Sequence, residues 1–163
     1  MIIVDSSSLI LLAKLNMLDI LIGNIKHKIV IPQLVYAECT AKQDLFDAQI
    51  IKQRVTKGLI GTIDISNRKL YNKIVKDFNL GKGEAESITL CIELKSGMIT
   101  DDKKAINACR VLKIKFTTVP RLVVRFYKKK LLTKTEANLI IKELHRLGRY
   151  SDDIMNKVKE DLK

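Results

Sequence analysis

Apolar positions in this chain fall into two periods. Ile2-Ile3-Val4, Lys28 to Ile31, Met98-Ile99-Thr100 and Lys115 to Val119 are short runs of strand length, and Ile60 to Ile65 is a weaker one. The segments between them repeat at helical spacing. Ser6, Ser7 and Ser8 offer N-caps for an amphipathic helix through about Ile22, and Pro32 fits the first helical position of the segment that carries Glu38. A further helix is predicted from Asp44 to Lys57, and another capped by Ser66 and running to about Phe78. Gly81-Lys82-Gly83 reads as a turn, followed by a helix from Glu84 to Lys95 that Gly97 ends and one across Ala105 to Leu112. From Pro120 onward the tail reads as wholly helical. Strands alternating with helices imply a mainly parallel sheet, whose ligands bind at the carboxyl ends of the strands near the topological switch point.

The acids stand out against this pattern. Asp5 and the doublet Asp101-Asp102 follow directly on apolar runs, at strand ends. Glu38 shares a helical face with Leu34 and Ala41, and Glu84 shares one with Ile88 and Cys91, so both are expected on apolar stripes. Glu86 falls on the Leu90 and Glu93 face and is the weaker candidate. Burying unpaired carboxylates is costly, so acids gathered at the inner ends of core segments call for a compensating positive charge. A hard divalent cation, Mg²⁺ or Mn²⁺, suits Asp and Glu oxygens and serves phosphate chemistry. Each acid also has a plainer use: Asp5 as cap of the first helix, Asp101-Asp102 as cap and first-turn acid of a later one, Glu38 and Glu84 as solvated or Lys-paired groups.

Charge changes the picture from outside. The chain carries 30 Lys and Arg against 18 Asp and Glu, a net +12, so a locally acidic site would lie within a basic body, an arrangement suited to a polyanion. Lys82, Lys103 and Lys104, close in sequence to the acids, are the candidate phosphate contacts on such a polyanion, whereas Lys128-Lys129-Lys130 reads as a solvated helix end. The 163 residues suit one domain, with 120–163 as its helical extension. The three cysteines are scattered among apolar residues without zinc spacing and read as reduced thiols of a cytoplasmic protein, and no segment has the length and apolarity of a membrane span or the form of a signal peptide. His27 and His145 are isolated, the serines lack a nucleophile-elbow context, and the glycines around Lys82 lack the phosphate-loop pattern.

Taken in order, these residues resemble the PIN-domain nucleases. The matching elements are Asp5-Ser6-Ser7 after the first strand, Glu38 in the next helical region, an acid opening a later helix, and Thr100-Asp101-Asp102 as a T-x-D after the following strand. Leu80-Gly81-Lys82-Gly83-Glu84-Ala85-Glu86 and the tail Gly148-Arg149-Tyr150-Ser151-Asp152-Asp153 are similar to a prokaryotic branch near the VapC-type toxins. The resemblance implies a flavodoxin-like α/β/α fold of strand order 3-2-1-4-5 and metal-dependent cleavage of RNA. It implies Asp5, Glu38, Glu84 and Asp102 as the catalytic acids and Asp5, Glu84, Asp102 and Asp101 as metal ligands. Ser7, Thr100 and Glu86 would assist. It further implies one or two Mg²⁺ or Mn²⁺ ions, an RNA substrate, an antitoxin protein if the role is that of a toxin, and a homodimer. Two departures are visible: the doublet leaves open whether Asp101 shares or takes the role of Asp102, and Thr118-Val119-Pro120 stands where this branch usually has Gly-Thr.

Two other classes are weaker. A degenerate PIN domain acting as an RNA-binding or scaffolding module would lack a core acid, and here none is missing. A receiver-like domain would need an early acid doublet and a late Lys, and a haloacid-type phosphatase needs Asp-x-Asp where this chain has Asp5-Ser6-Ser7.

Overall fold

The structure is a computed structural model that describes residues 1–147 and 150–162. Two compact units divide it, Met1–Thr117 and Thr118–Lys163. The first holds a five-stranded sheet of order β3-β2-β1-β4-β5, from β1 (Ile2–Val4), β2 (Ile29–Pro32), β3 (Ile60–Ile63), β4 (Gly97–Ile99) and β5 (Phe116–Thr117). Every pairing is parallel, with Ile3 opposite Val30 on one side and Met98 on the other. This is the strand order that the resemblance implied. The two strands beside β1 are buried along most of their length, as expected where helices cover both faces.

α1 (Ser6–Lys14), α2 (Leu18–Asn24), α3 (Gln33–Thr40) and α4 (Phe46–Thr56) occupy the connections that lead from β1 out to β3. α5 (Arg68–Phe78), α6 (Lys82–Glu93) and α7 (Lys103–Val111) occupy those that return past β1 to β5. Right-handed crossovers in opposite directions put the two groups on opposite faces, giving three layers. The second group packs Ile74, Ile88 and Cys109 onto Ile3, Val30 and Met98. The second unit contains α8 (Val119–Lys128), α9 (Lys134–Leu147) and α10 (Asp152–Glu160), packed on one another. α9 begins at a reciprocal cap: the Thr133 backbone N–H and hydroxyl donate to Glu136 at 2.7 Å, and the Glu136 N–H donates to the Thr133 hydroxyl.

Several boundaries differ from the pattern-based expectation for local reasons. The single helix expected from Ser6 to Ile22 is broken in two, because Asn16 takes a left-handed conformation (φ 54°) and reverses the chain. Ser66 does not cap α5: the Asn67 side chain does, accepting from Leu70 N, while the Ser66 N–H and hydroxyl and the Asn67 N–H donate to Glu93. Lys82 and Gly83 are not a turn but the first residues of α6, with Gly81 as N-cap. Gly83 serves close approach instead, since a Cβ built there would lie 2.6 Å from Glu38 Oε2.

Candidate active site

The order of the sheet fixes where a site can form. β1 leads outward to β2 and β3, and the chain then returns to β4 on the other side of β1, so the carboxyl ends of β1 and β4 flank the switch point. Asp5 follows β1 and Thr100-Asp101-Asp102 follow β4, and the two strand ends are joined by the Asp5 N–H donating to Ile99 O at 3.3 Å.

Asp5 is fully buried. Its Oδ1 accepts the Ser8 backbone N–H at 2.8 Å, the N-cap bond of α1, and the Ser7 hydroxyl at 3.2 Å. The plain capping use is therefore real, but it engages one oxygen only. Oδ2 is buried with no well-formed hydrogen bond. Burial pushes the Asp5 carboxyl up from 3.8 to about 6; the neighbouring Thr100 hydroxyl and the Ser8 backbone and side chain draw it down, and the charge of Asp101 pushes it up again.

Asp101 and Asp102 are half-buried and do different things. Asp102 is the N-cap of α7: its Oδ1 accepts from Ala105 N at 2.8 Å, and its own N–H donates to the buried Thr100 hydroxyl at 3.2 Å. Asp101 is tied to α1. The Ser8 hydroxyl donates to Asp101 Oδ2 at 3.0 Å and accepts from the Asp101 N–H at 3.1 Å. Ser8 thus touches both strand ends and was not singled out from the sequence over its neighbour Ser7, which is exposed. The signal was present: Ser8 lies one turn before Leu12 on the buried face of α1.

The two glutamates expected on apolar stripes are placed otherwise. Glu38 is exposed; the buried side of α3 is Val35 and Cys39, so the face shared with Leu34 and Ala41 is not the core face. Its carboxylate nonetheless lies against Gly83, at the N-terminal turn of α6, where the helix dipole favours an anion. Glu84 is half-buried, and its carboxylate lies against Gly81 at the same helix end. Because α6 feeds the parallel strand β4, that end points towards the carboxyl edge of the sheet. Glu86 is the more deeply buried acid, only 8% exposed, and is paired with Arg68 at 3.4 Å. Burial does not rank these two acids, because α6 is buried along nearly all of its length and no narrow stripe separates inside from outside.

Lys82, Lys103 and Lys104 are exposed, and Lys104 reaches Asn79 O at 3.1 Å, closing the left-handed C-terminus of α5. Gly148 and Arg149 of the tail motif lie outside the described residues. Cys39, Cys91 and Cys109 are buried free thiols, and burial pushes Cys39 up to about 12 and Cys109 up to about 11, which keeps them protonated and unreactive. A surface hollow of about 490 Å³ beside α3 and α4, lined by Tyr36, Thr40 and Lys52 among others, contains none of the candidate acids. No single described helix is long and apolar enough to cross a membrane.

Among the described residues, no three His, Cys, Asp or Glu side chains form a ready-made metal-binding group. Asp5 and Asp101 fit a hard cation as a pair. They are oxygen donors joined through one serine, and the buried Oδ2 of Asp5 lacks the partner that an ion would supply. Over residues 1–163 the sequence matches a family described as a PIN domain. No curated protein matches the chain.

Proposed function

Because this chain belongs to the PIN-domain family, whose fold is of nuclease type, we propose that it is an endoribonuclease hydrolysing RNA phosphodiester bonds with the help of Mg²⁺ or Mn²⁺. The observation that carries this reading is the buried, unpartnered Oδ2 of Asp5 beside the switch point of the sheet. Asp5 and Asp101 would hold the ion, with Glu38 and Glu84 supplying further negative charge around it. A divalent ion at such a place acidifies a bound water and offsets charge on the phosphate oxygens.

The residues of the chain position and polarise. Ser7 and Ser8 donate to Asp5 Oδ1, which fixes the carboxylate plane and leaves Oδ2 available to an ion. Thr100 holds the backbone of Asp102, so that β4 ends in a fixed geometry. Hydrolysis of a phosphodiester adds water to phosphorus, breaks one P–O ester bond and releases a proton. Glu38 and Glu84, at the N-terminus of α6, are carboxylates able to accept it. Lys82 and Lys103 offer exposed positive charge for flanking phosphates.

The test is cleavage of single-stranded RNA by the purified protein with Mn²⁺, with Mg²⁺ and with chelator. Cleavage that needs the ion and is lost in Asp5→Asn supports the reading; cleavage surviving in chelator overturns it. A second reading, a PIN domain that binds RNA without cutting it, is favoured by the lack of a preformed three-acid group among the described residues. It would show as RNA binding with no cleavage under any ion. The resemblance to toxin-type relatives extends the proposal to a toxin role, tested by growth arrest on expression and its relief by the product of the adjacent gene.

A further inference from the structure

Of the two adjacent acids after β4, the resemblance points to Asp102 as the functional one, since it occupies the last place of T-x-D. The hydrogen bonds distribute their work differently. Asp102 is already engaged structurally, with one oxygen capping α7 through Ala105 N and its N–H held by Thr100. Removing such a cap typically weakens the helix behind it. Asp101 is not the cap of α7. Its Oδ2 and its N–H both bond to the same hydroxyl, that of Ser8, 93 residues away. The reciprocal pair of bonds fixes the backbone and the carboxylate of Asp101 together.

Ser8 is completely buried, and its own N–H is bonded to Asp5 Oδ1. One side chain and its backbone therefore set the position of both acids across the switch point. Its hydroxyl lies at hydrogen-bond distance from Asp101 Oδ2 and accepts from the Asp101 N–H.

We infer that Asp101, and not Asp102, is the carboxylate that joins Asp5 in holding the divalent cation, and that Ser8 is the positioning residue that aims it. This deepens the cation-dependent reading above and rests on it. An orienting hydrogen bond behind a ligand carboxylate is worth roughly ten- to a hundredfold in metal affinity.

The experiment is a calorimetric titration of the RNA-free protein with Mn²⁺, paired with melting temperatures in chelator. Five proteins are compared: the parent, Ser8→Ala, Asp101→Asn, Asp102→Asn and the double variant Ser8→Ala/Asp101→Asn. Ser8→Ala is expected to bind Mn²⁺ roughly ten- to a hundredfold more weakly, and Asp101→Asn at least as weakly. The double variant should be no weaker than Asp101→Asn alone, because both changes remove one interaction. Asp102→Asn, whose side-chain oxygen can still accept the Ala105 N–H, should melt close to the parent and keep Mn²⁺ affinity within a few-fold of it. A Ser8→Ala protein that binds like the parent overturns the inference, as does an Asp102→Asn protein that loses as much affinity as Asp101→Asn. If Ser8→Ala does not fold, the comparison of Asp101→Asn with Asp102→Asn decides alone. A parent that takes up no Mn²⁺ removes the cation-dependent reading and this inference with it. A parent that binds, with Ser8→Ala unchanged, removes this inference only.

Discussion

Arg68 approaches Glu86 to 3.4 Å, and this pair gives the two acids of α6 different roles. Arg68 also stacks its guanidinium 5.9 Å from the Tyr71 ring centroid, so it is held on both sides. Glu86 is thereby a tie between α5 and α6, while Glu84 stays at the helix end near Gly81. Glu84→Gln should abolish ion-dependent RNA cleavage and leave the melting temperature nearly unchanged. Glu86→Gln should cost up to about 1 kcal/mol of stability, the value of an ion pair whose Arg68 side is mostly exposed, and much less cleavage. Equal losses of cleavage in a side-by-side assay would show that the ion pair does not distinguish the two acids.

The buried Asp5 makes stability depend on pH in a definite direction. Its carboxyl sits at about 6 when folded, against 3.8 for the ordinary group. The folded chain therefore holds the proton more tightly than the unfolded one. The favourable contribution is fully present below pH 3.8 and is lost as pH rises through about 6. The loss amounts to about 3 kcal/mol once Asp5 is ionised, from about 1.4 kcal/mol for each tenfold change in proton affinity. Asp5→Asn should flatten this part of the stability profile between those limits and match or exceed the parent at neutral pH. It should also abolish the rise in melting temperature that Mn²⁺ gives the parent. Urea titrations across the range check the first point, and a metal response retained in Asp5→Asn would remove Asp5 from the ion site.

Gly83 offers a change that separates stability from activity. Alanine is the better helix former by about 1 kcal/mol, so at an open helical position Gly83→Ala would stabilise. Here the new Cβ would lie 2.6 Å from Glu38 Oε2 and 3.0 Å from Oε1, and the flexible carboxylate must move away. Gly83→Ala should keep or raise the melting temperature and lower cleavage at least tenfold, an activation cost of about 1.4 kcal/mol. Cleavage equal to the parent would mean that the place of Glu38 beside α6 is immaterial.

Lys82 and Lys103 test the substrate contact without disturbing a cap, whereas Lys104 is bonded to Asn79 O and its loss would loosen α5. Replacing Lys82 and Lys103 by Ala should weaken RNA binding, measured in chelator to prevent cleavage. It should also reduce the slope of log affinity against log salt by about 1.4, at about 0.7 per phosphate contact on a single strand. Mn²⁺ affinity should stay as in the parent. An unchanged slope places the RNA path elsewhere on this basic chain.

The sequence by itself determined the parallel sheet, the strands that build it and the arrival of acids at the ends of β1 and β4. These follow from short-range pattern: apolar runs of strand length cannot sit in a solvated helix, and a carboxylate directly after one must lie at the sheet's edge. Individual helix ends were less legible, because Asn16 and Gly83 act through a backbone conformation and a close approach that periodicity does not encode. What each acid does was decided only by tertiary structure. Asp101 and Asp102 are neighbours of identical chemistry, and they differ because Ser8 reaches one of them across 93 residues while Ala105 takes the other as a cap. Glu86 and Glu84 differ because Arg68 arrives beside one of them from α5. A hydrogen bond or ion pair is short-ranged and directional, so its partner is chosen by the packing that brings distant segments together.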